Sequence, residues 1–539
     1  MIGDIPELSL ADLYSNSIAG FSDRPAFTLN KKYQLSYKEF GNEVDKLVDI
    51  FNKSGLNAGD KIAILGSNMP NWAVSYFAIT TSSRVVVPVL PDFTAFEIVN
   101  IMEHSEAKAL IVSAKLQYKI SESLSNKLSL IILMDDFEVI KENPGAGSVI
   151  PEKPHYQDLA SIIYTSGTSG ASKGVMLSHS NLVAMNQLAQ VLFPIDENDV
   201  FLSILPLSHA YECSLGMIFP FSRGAHVVYL DGVPTPSLLM PALAEVKPTM
   251  IFSVPLIVEK IYKNKIRPMF TKNWIMQFLY SISFIRRGFH KIAGKKLLQT
   301  FGGKLRFFGV GGSKLDAAVE RFLADAGFPY SIGYGLTETS PLLAGALPGK
   351  VKLQSTGPHL KGLEMKILNP NAQNIGEIVI KGPTVMMGYY KDLDTTATCF
   401  TKDGWFRTKD LGFLDKEGNL FIKGRMDNMI VGANGENIYP EEIEAIINEH
   451  DLVLESLVTV VKGKLIALVH FNYEQIEALH TFNEEAVINL QERVGKVKTE
   501  LLDFVNNRVN KSSKIVEIIE QQVPFEKTAT QKIKRYIYV

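Results

Sequence analysis

Short apolar runs recur between helical patterns along the first 160 residues of this chain. The runs "KIAILGS", "SRVVVPVL" and "KALIVS" have the continuous apolar character of buried strands. Segments between them, such as "YKEFGNEVDKLVDIFNKSG", carry apolar residues at helical spacing. The alternation continues through "AHVVYLDG", "PTMIFSVP", "LRFFGVGGS" and "FPYSIGYG". It predicts an α/β fold with strands and helices arranged in layers.

The pattern changes near residue 375, where short strands surround Gly turns, as in "IGEIVIKG" and "FLDKEGNLFIKGR". A chain of 539 residues is long enough for more than one domain. We predict a large multilayer N-terminal domain over residues 1–426 and a small α+β C-terminal domain over residues 427–539. Within the second, "YPEEIEAIINEH" predicts a helix, "SLVTVV" and "LIALVHF" predict strands, and the polar stretch beyond predicts helices to about residue 522.

Composition excludes several classes of protein. The net charge of -2 gives no electrostatic footprint for a nucleic acid, so we expect no nucleic-acid partner. Cys213 and Cys399 lie far apart and form no CxxC pair, which disfavours a disulfide framework or a Cys-based zinc site and fits a cytoplasmic location. The start, "MIGDIPELSLADLYSNS", has acidic residues and no basic region, so we expect no signal peptide.

No apolar run reaches the roughly 20 residues that span a bilayer. The nearest is "WIMQFLYSISFI", residues 274–285, which is followed by Arg286, Arg287 and several lysines. An aromatic and basic helix fits the surface of a membrane as a peripheral contact. It equally fits a core helix with a snorkelling charged end. The sequence leaves both open and carries no signal for an oligomeric state.

The stretch "YTSGTSGASKG", residues 164–174, surrounds Lys173 with glycines and hydroxyls. Glycine lets a backbone approach a ligand closely, and free N–H groups in a turn form an anion-binding nest. A Walker P-loop fails here, because Ser172 replaces the second glycine and Gly174 replaces the Ser or Thr after the lysine. The flanking runs are apolar, so we predict a phosphate-binding loop between two strands rather than before a helix.

Five further stretches follow that loop in a fixed order: "LPLSHAYE", "GYGLTETSP", "GWFRTKDLG", "KGRMDNMIVGANGENIYPEEIE" and "KTATQKIKR". Together the six resemble the adenylate-forming superfamily of acyl-CoA synthetases, peptide-synthetase adenylation domains and luciferases. The resemblance covers nearly the whole chain. It implies an enzyme that uses ATP and Mg²⁺ to join a carboxylic acid to AMP, and then passes the acyl group to a thiol.

The resemblance also implies residue roles for phosphate and metal. The β- and γ-phosphates would be held by Thr165, Ser166, Gly167, Thr168, Ser169 and Lys173. Thr337 would bind the α-phosphate, and Glu338 would hold Mg²⁺, a hard ion that prefers oxygen ligands. His209 would lie beside the carboxylate of the acid.

The nucleoside would be bound by a second group. Asp410 would accept hydrogen bonds from the ribose hydroxyls, with Arg425 beside it. Adenine would be flanked by the backbone and ring at Gly311, Gly312, Ser313, Tyr334 and Gly335.

Lys532 matches the lysine that bridges carboxylate and phosphate in the first half-reaction, although Gln531 stands where the family usually has Gly. Asp427 matches the hinge between the domains. Rotation there would carry Lys532 away and bring in "GANGENI" to shape the thiol channel, so the resemblance implies a mobile C-terminal cap.

Two sequence features bear on the substrate. Relatives that activate amino acids place an Asp near the start of "LPLSHAYE", but Leu205, Pro206 and Leu207 stand here, and an unpaired ammonium would be costly. The basic, aromatic segment before "GVGGS" resembles bacterial long-chain fatty-acid–CoA ligases. We therefore expect a long-chain fatty acid and CoA as substrates. A carrier-protein thiol as acceptor, or a shorter or aromatic acid, remains an alternative.

Overall fold

A computed structural model describes residues 7–29, 33–143, 148–150, 152–165, 172–432, 436–478, 490–528 and 532–538. The strands, numbered in chain order, are β1 Pro25–Leu29, β2 Tyr33–Ser36, β3 Lys61–Leu65, β4 Val85–Val89, β5 Ala109–Val112, β6 Leu130–Leu133, β7 Val139–Glu142, β8 Leu159–Thr165, β9 Lys173–Ser178, β10 Val200–Ser203, β11 His226–Tyr229, β12 Met250–Ser253, β13 Phe307–Val310, β14 Tyr330–Gly335, β15 Leu342–Gly345, β16 Glu364–Leu368, β17 Gly376–Lys381, β18 Gly388–Tyr389, β19 Phe406–Leu414, β20 Leu420–Arg425, β21 Ile430–Val431, β22 Asn437–Ile438, β23 Val453–Val461, β24 Lys464–Phe471 and β25 Glu517–Glu520.

The α-helices are α1 Leu10–Phe21, α2 Tyr37–Lys53, α3 Pro70–Thr81, α4 Ala95–Ser105, α5 Glu122–Lys127, α6 His179–Leu192, α7 Phe219–Phe221, α8 Pro236–Val246, α9 Pro255–Ile261, α10 Arg267–Thr271, α11 Trp274–Ser281, α12 Ser283–Thr300, α13 Ala317–Ala326, α14 Leu393–Thr398, α15 Pro440–Asn448, α16 Tyr473–Ala478 and α17 Leu490–Asn506. Short 3-10 helices occupy Ala114–Lys119, Thr337–Thr339, Met426–Asn428, Lys511–Ser513 and Arg535–Ile537, and π-helical turns occupy Glu212–Ile218 and Tyr262–Ile266.

Two eight-stranded sheets form the large part of the molecule. The first has the order β15-β14-β13-β12-β10-β11-β1-β2, and the second has the order β18-β9-β8-β4-β3-β5-β6-β7. The inner strands are parallel, and antiparallel strands lie at the edges. Parallel strands covered on both faces need apolar side chains throughout, which explains runs such as "ALIV" in β5. The predicted α/β class is confirmed.

Helix α3 joins the two sheets. It contacts β3 and β4 of the second sheet and β1 and β2 of the first. Every residue from Pro70 to Thr80 is buried, as expected for a helix that is apolar on all sides. Trp72 and Phe77 in this helix share one core with Phe27 of β1 and Ile62 of β3. The two sheets therefore pack as layers of one hydrophobic unit.

Antiparallel strands follow this unit, as the change in the sequence near residue 375 predicted. The order β16-β17-β19-β20 gives a four-stranded sheet. Beyond it, helix α15, strands β23 and β24, and helix α17 enclose a separate core that includes Ile447, Val469 and Leu501. The division at residues 426 and 427, and the mobility of the C-terminal part, stay predictions.

Two sequence expectations are wrong in detail. The sequence pattern predicts a helix over residues 517–520, but they form β25, which pairs in parallel with β24. Ile518 is buried in the C-terminal core, and that packing outweighs the helical pattern. The apolar run 274–285 is broken at Ile282, which ends α11 and precedes α12. No helix among the described residues combines the length and apolar character needed to span a membrane.

Candidate active site

Thr165 and Lys173 are neighbours across the end of the β8–β9 hairpin. β8 ends at Thr165, β9 begins at Lys173, and the two residues are register partners. The strand–loop–strand prediction is therefore confirmed, and Lys173 does not open a helix as a Walker lysine would. The predicted loop residues that lie outside the described part of the chain are Ser166, Gly167, Thr168 and Ser169.

Tyr389 connects Lys173 to Glu338. Its strand, β18, pairs with β9, and its ring centroid lies 5.2 Å from the Lys173 Nζ. Its hydroxyl donates to Glu338 Oε1 at 2.8 Å. Burial and the neighbouring Glu338 carboxylate raise the pKa of the Tyr389 phenol, so it remains a donor at neutral pH. The sequence did not indicate this residue, because its role depends on strand pairing across more than 200 residues.

A tight turn after β14 presents Thr337 and Glu338. The turn requires Gly335, because a Cβ there would lie 1.7 Å from the carbonyl oxygen of Pro341. Thr337 and Glu338 then begin a 3-10 turn and are half-buried. The backbone oxygen of Glu338 accepts from the N–H of Met386 at 2.9 Å, which fixes the turn against the β18 segment.

Asp410 lies between Tyr334 and Arg425. The Tyr334 hydroxyl donates to Asp410 Oδ2 at 2.7 Å, and Arg425 Nε lies 3.2 Å from Oδ1. Asp410 and Arg425 are register partners on β19 and β20. Burial raises the pKa of Asp410, while Arg425 and the Tyr334 hydroxyl oppose that rise. The structure thus brings three of the predicted nucleoside residues into direct contact.

The predicted adenine segment lies at the carboxyl end of β13, beside β14. Open α/β sheets bind ligands at this end of their strands. Gly311 is buried, and a Cβ there would lie 3.2 Å from the Tyr211 ring. Gly312 has φ +91°, a backbone region that favours glycine. Gly312 and Ser313 are exposed, so their backbone is open to a ligand.

Lys532 lies close enough to the same residues for its charge to act on them. Its cleft lowers the pKa of its ammonium by desolvation and by repulsion from Arg425, whereas Asp410 and Glu338 oppose that change. Lys532 is nevertheless exposed to solvent, so the neighbouring groups do not close it off from water. Asp410 and Glu338, which are far from Lys532 in sequence, therefore lie near enough to act electrostatically on its ammonium, and their assignment to one active site stays a prediction.

His209 lies on the Lys532 side of the site. Desolvation and the Lys532 charge lower the pKa of His209 to about 4, so its ring is neutral at neutral pH. Asn68 holds the preceding loop: it accepts from the Leu207 N–H at 2.9 Å and donates to the Leu205 carbonyl at 2.6 Å. Asn68 was not predicted, since a lone Asn after a strand carries no sequence signal for this contact.

Comparison with known proteins identifies the family of the chain. The family described as AMP-binding enzyme matches residues 14–390. The chain belongs to this family. It is 29% identical over 443 residues to the long-chain-fatty-acid–CoA ligase FadD15 of Mycobacterium bovis, covering 75% of this chain and 71% of that protein. It is 28% identical over 530 residues to the long-chain-fatty-acid–[acyl-carrier-protein] ligase AEE15 of Arabidopsis thaliana, covering 81% and 72%.

Solved structures show the same fold at low identity. ATP-bound MatB from Rhodopseudomonas palustris superposes with a TM-score of 0.77 at 22% identity, covering 98% of both chains. The anthranilate CoA ligase AuaEII, in complex with anthranoyl-AMP, gives 0.79 at 20% identity, covering 99% of this chain and 97% of that one.

The C-terminal part of this AMP-binding enzyme holds the Lys532 segment by a partly buried ion pair. Arg535 donates to both oxygens of Glu444, at 2.9 and 2.7 Å, and to the Val458 carbonyl at 3.0 Å. Glu444 is buried in α15. A bidentate pair of this kind fixes orientation as well as charge, so it positions the chain that carries Lys532.

Glu338 fits a magnesium ion that is bound mainly by its nucleotide. The described residues contain no group of three or more His, Cys, Asp or Glu side chains that could cage a metal. Mg²⁺ commonly takes one or two carboxylates and completes its shell with water and phosphates. A single carboxylate beside the Lys173 hairpin suits that mode. Asp427, the predicted hinge, is exposed in the turn Met426–Asn428, and its role stays a prediction.

Proposed function

We propose that this AMP-binding enzyme activates a long-chain fatty acid with ATP and transfers it to CoA. In the first step a carboxylate oxygen bonds to the α-phosphorus of ATP, and the bond to the β-phosphate oxygen breaks, giving acyl-adenylate and pyrophosphate. In the second step the CoA sulfur bonds to the acyl carbon, the bond to AMP breaks, and the thiol loses its proton. The products are acyl-CoA and AMP.

The observation that carries this proposal is that Tyr389 places its ring beside the Lys173 ammonium and its hydroxyl on Glu338, while Lys532 lies near enough for the Glu338 charge to act on it. The first step brings a carboxylate against a polyphosphate, so its transition state needs positioning and positive charge. Lys532 would supply that charge between the two anions, and Lys173 would supply it at the β- and γ-phosphates. Bound Mg²⁺ at Glu338 would neutralise further phosphate charge.

The remaining residues would position the substrates. Asp410, held by Tyr334 and Arg425, would accept from the ribose hydroxyls, and Thr337 would donate to the α-phosphate. The exposed backbone at Gly312 and Ser313 would border adenine. His209 is neutral above about pH 4, so it would orient the acid by a hydrogen bond without adding charge.

The chain-length assignment rests on relatives named long-chain-fatty-acid–CoA ligases. It is tested by incubating the purified enzyme with palmitate, Mg·ATP and CoA and measuring AMP. AMP and palmitoyl-CoA are the expected products. AMP release with a short or aromatic acid, and none with palmitate, would contradict the long-chain assignment.

A second acceptor is favoured by the relative that is named an acyl-carrier-protein ligase. Replacing CoA with holo acyl-carrier protein in the same assay separates the two thiols. Faster thioester formation with the carrier protein would make it the acceptor. Fatty-acid-dependent pyrophosphate–ATP exchange, measured without any thiol, would show that adenylation occurs in either case.

We further propose a cytoplasmic location with peripheral contact at the inner membrane surface, where long-chain acids partition.

A further inference from the structure

Helices α11 and α12 present large apolar side chains to solvent. Trp274, Phe278, Phe284 and Ile292 are 76%, 62%, 85% and 70% exposed, and Ile275 and Ile282 are also exposed. Exposed apolar side chains are common singly, but a cluster on two consecutive helices marks a contact surface. We define these six residues as the apolar patch.

The helices that carry the patch are firmly attached by their other side. On α12, His290, Ala293, Gly294 and Leu297 form a buried face. His290 Nδ1 lies 3.0 Å from Asp325 Oδ2 on α13, and its Nε2 lies 2.8 Å from the Tyr280 hydroxyl. The exposure of the patch is therefore a property of the packed fold, not of a loose helix.

Positive charge surrounds the patch. Residues 260–315 contain no Asp or Glu, although the whole chain has a net charge of -2. Lys291, Lys295 and Lys296 are exposed on α12, and within the described ranges none of them has a carboxylate partner. Lys291 lies seven residues after Phe284, and Lys295 lies four residues after Lys291. This spacing places both lysines on the same side of α12 as Phe284 and Ile292.

We propose that this surface docks on a membrane that contains anionic phospholipids. Trp, Phe and Ile side chains would enter the interface between headgroups and acyl chains, while the lysines would contact lipid phosphates. An acidic carrier protein would satisfy the lysines equally. However, a cluster of protruding aromatic and aliphatic side chains can insert between lipid headgroups and acyl chains, whereas the surface of a folded acidic protein offers it little apolar contact. The apolar patch plays no part in the proposed reaction, so a test of membrane binding and a test of the reaction give independent results.

The test is sedimentation of the full-length protein with vesicles of phosphatidylcholine, with and without phosphatidylglycerol. Binding is expected with phosphatidylglycerol and should weaken as salt rises, because screening acts on exposed charges. The double variant W274S/F284S should lose about tenfold in vesicle affinity. The matched control, F96S/L393S, removes two residues that are 74% and 81% exposed elsewhere and should bind like the original protein.

Tryptophan fluorescence with brominated phospholipid gives an independent measurement. Bromine should quench Trp274, whereas Trp72 is fully buried in the core. W274F should keep vesicle binding, because Phe also enters the interface, and should lose most of the quenching. Absence of vesicle binding, equal losses in W274S/F284S and F96S/L393S, or patch-dependent binding to holo acyl-carrier protein without vesicle binding would overturn the proposal.

Discussion

The Tyr389 hydroxyl donates a hydrogen bond to Glu338 Oε1 at 2.8 Å, and this contact joins the β8–β9 hairpin, which is predicted to bind phosphate, to the predicted metal ligand. The same ring lies beside the Lys173 ammonium. One aromatic side chain thus spaces a cation from a carboxylate. Without it the two charges would be free to pair, which would occupy both of the groups that are predicted to hold the phosphates and Mg²⁺.

Replacing Tyr389 by Phe removes the hydroxyl and keeps the ring, so it measures the contribution of the hydrogen bond alone. A hydrogen bond to a carboxylate contributes about 1.5–3 kcal/mol, so pyrophosphate–ATP exchange should fall by about one to two powers of ten. The Mg²⁺ concentration for half-maximal rate should rise, because Glu338 loses its restraint. Tyr390→Phe is the control, since that hydroxyl binds Glu106 at an exposed site. Equal effects of the two variants would argue against the Tyr389 role.

Replacing Lys532 by Ala should affect only one half-reaction. Adenylation should fall by several powers of ten, because no other charge would bridge carboxylate and phosphate. Attack of CoA on supplied acyl-adenylate should stay near normal. Lys534→Ala removes a neighbouring lysine that lies 3.9 Å from Glu526 and should leave both steps intact. Single-turnover measurements of the two steps make the comparison.

Replacing Asp427 by Pro should impair the second half-reaction and spare the first. A stiff residue in the Met426–Asn428 turn would hinder rotation of the C-terminal part, so thioester formation should fall while adenylation continues. Accumulated acyl-adenylate in a rapid-quench experiment is the expected result. If the variant instead lost adenylation as strongly as thioester formation, domain alternation would lose its support.

The sequence predicted those parts of the site that are local in the chain. A strand, a glycine loop and a strand can be read from "LASIIYTSGTSGASKGVMLS", and Thr165 and Lys173 do pair across a hairpin. The resemblance placed Asp410 and Arg425 together, and they are register partners. It also named Lys532, whose approach toward Glu338 depends on how the C-terminal part packs, which no local pattern encodes.

The features that the sequence did not predict also depend on contacts between elements that are far apart in the chain. Tyr389 reaches Glu338 only because β18 pairs with β9, and Asn68 reaches the His209 loop only because two sheets pack together. The sequence pattern predicts a helix where the short strand β25 forms, since the pairing of β25 with β24 is also non-local. Contacts that cross between elements far apart in sequence leave no periodicity to detect.

Gly335→Ala should damage the fold around Glu338. Its Cβ would lie 1.7 Å from the Pro341 carbonyl oxygen, which is backbone and cannot move aside cheaply. We expect a loss of several kcal/mol in stability, seen as a lower Tm or a loss of folded protein. Gly20→Ala is the control, because nothing lies within 4 Å of its Cβ and α1 should tolerate it. A wild-type Tm for Gly335→Ala would contradict this geometry.

Glu212 should make stability fall as pH rises. It is buried, and burial raises the pKa of its carboxyl from 4.5 to about 8, with a Ser203 hydrogen bond opposing the rise. Between those pH values the unfolded chain releases this proton and the folded chain keeps it. The contribution of this group is therefore complete below about pH 4.5, and it declines by about 1.4 kcal/mol per pH unit until about pH 8.

Glu212→Gln removes that proton while keeping the shape of the side chain. The difference in Tm between the variant and the original protein should grow in favour of the variant from pH 5 to pH 8. Glu364→Gln, which makes the same change of side chain at an exposed position, is the matched control. Parallel Tm curves for Glu212→Gln and the original protein would mean that Glu212 is ionised in the fold. A buried cation or ordered water would then have to stabilise it, since its Oε2 has no hydrogen-bond partner among the described residues.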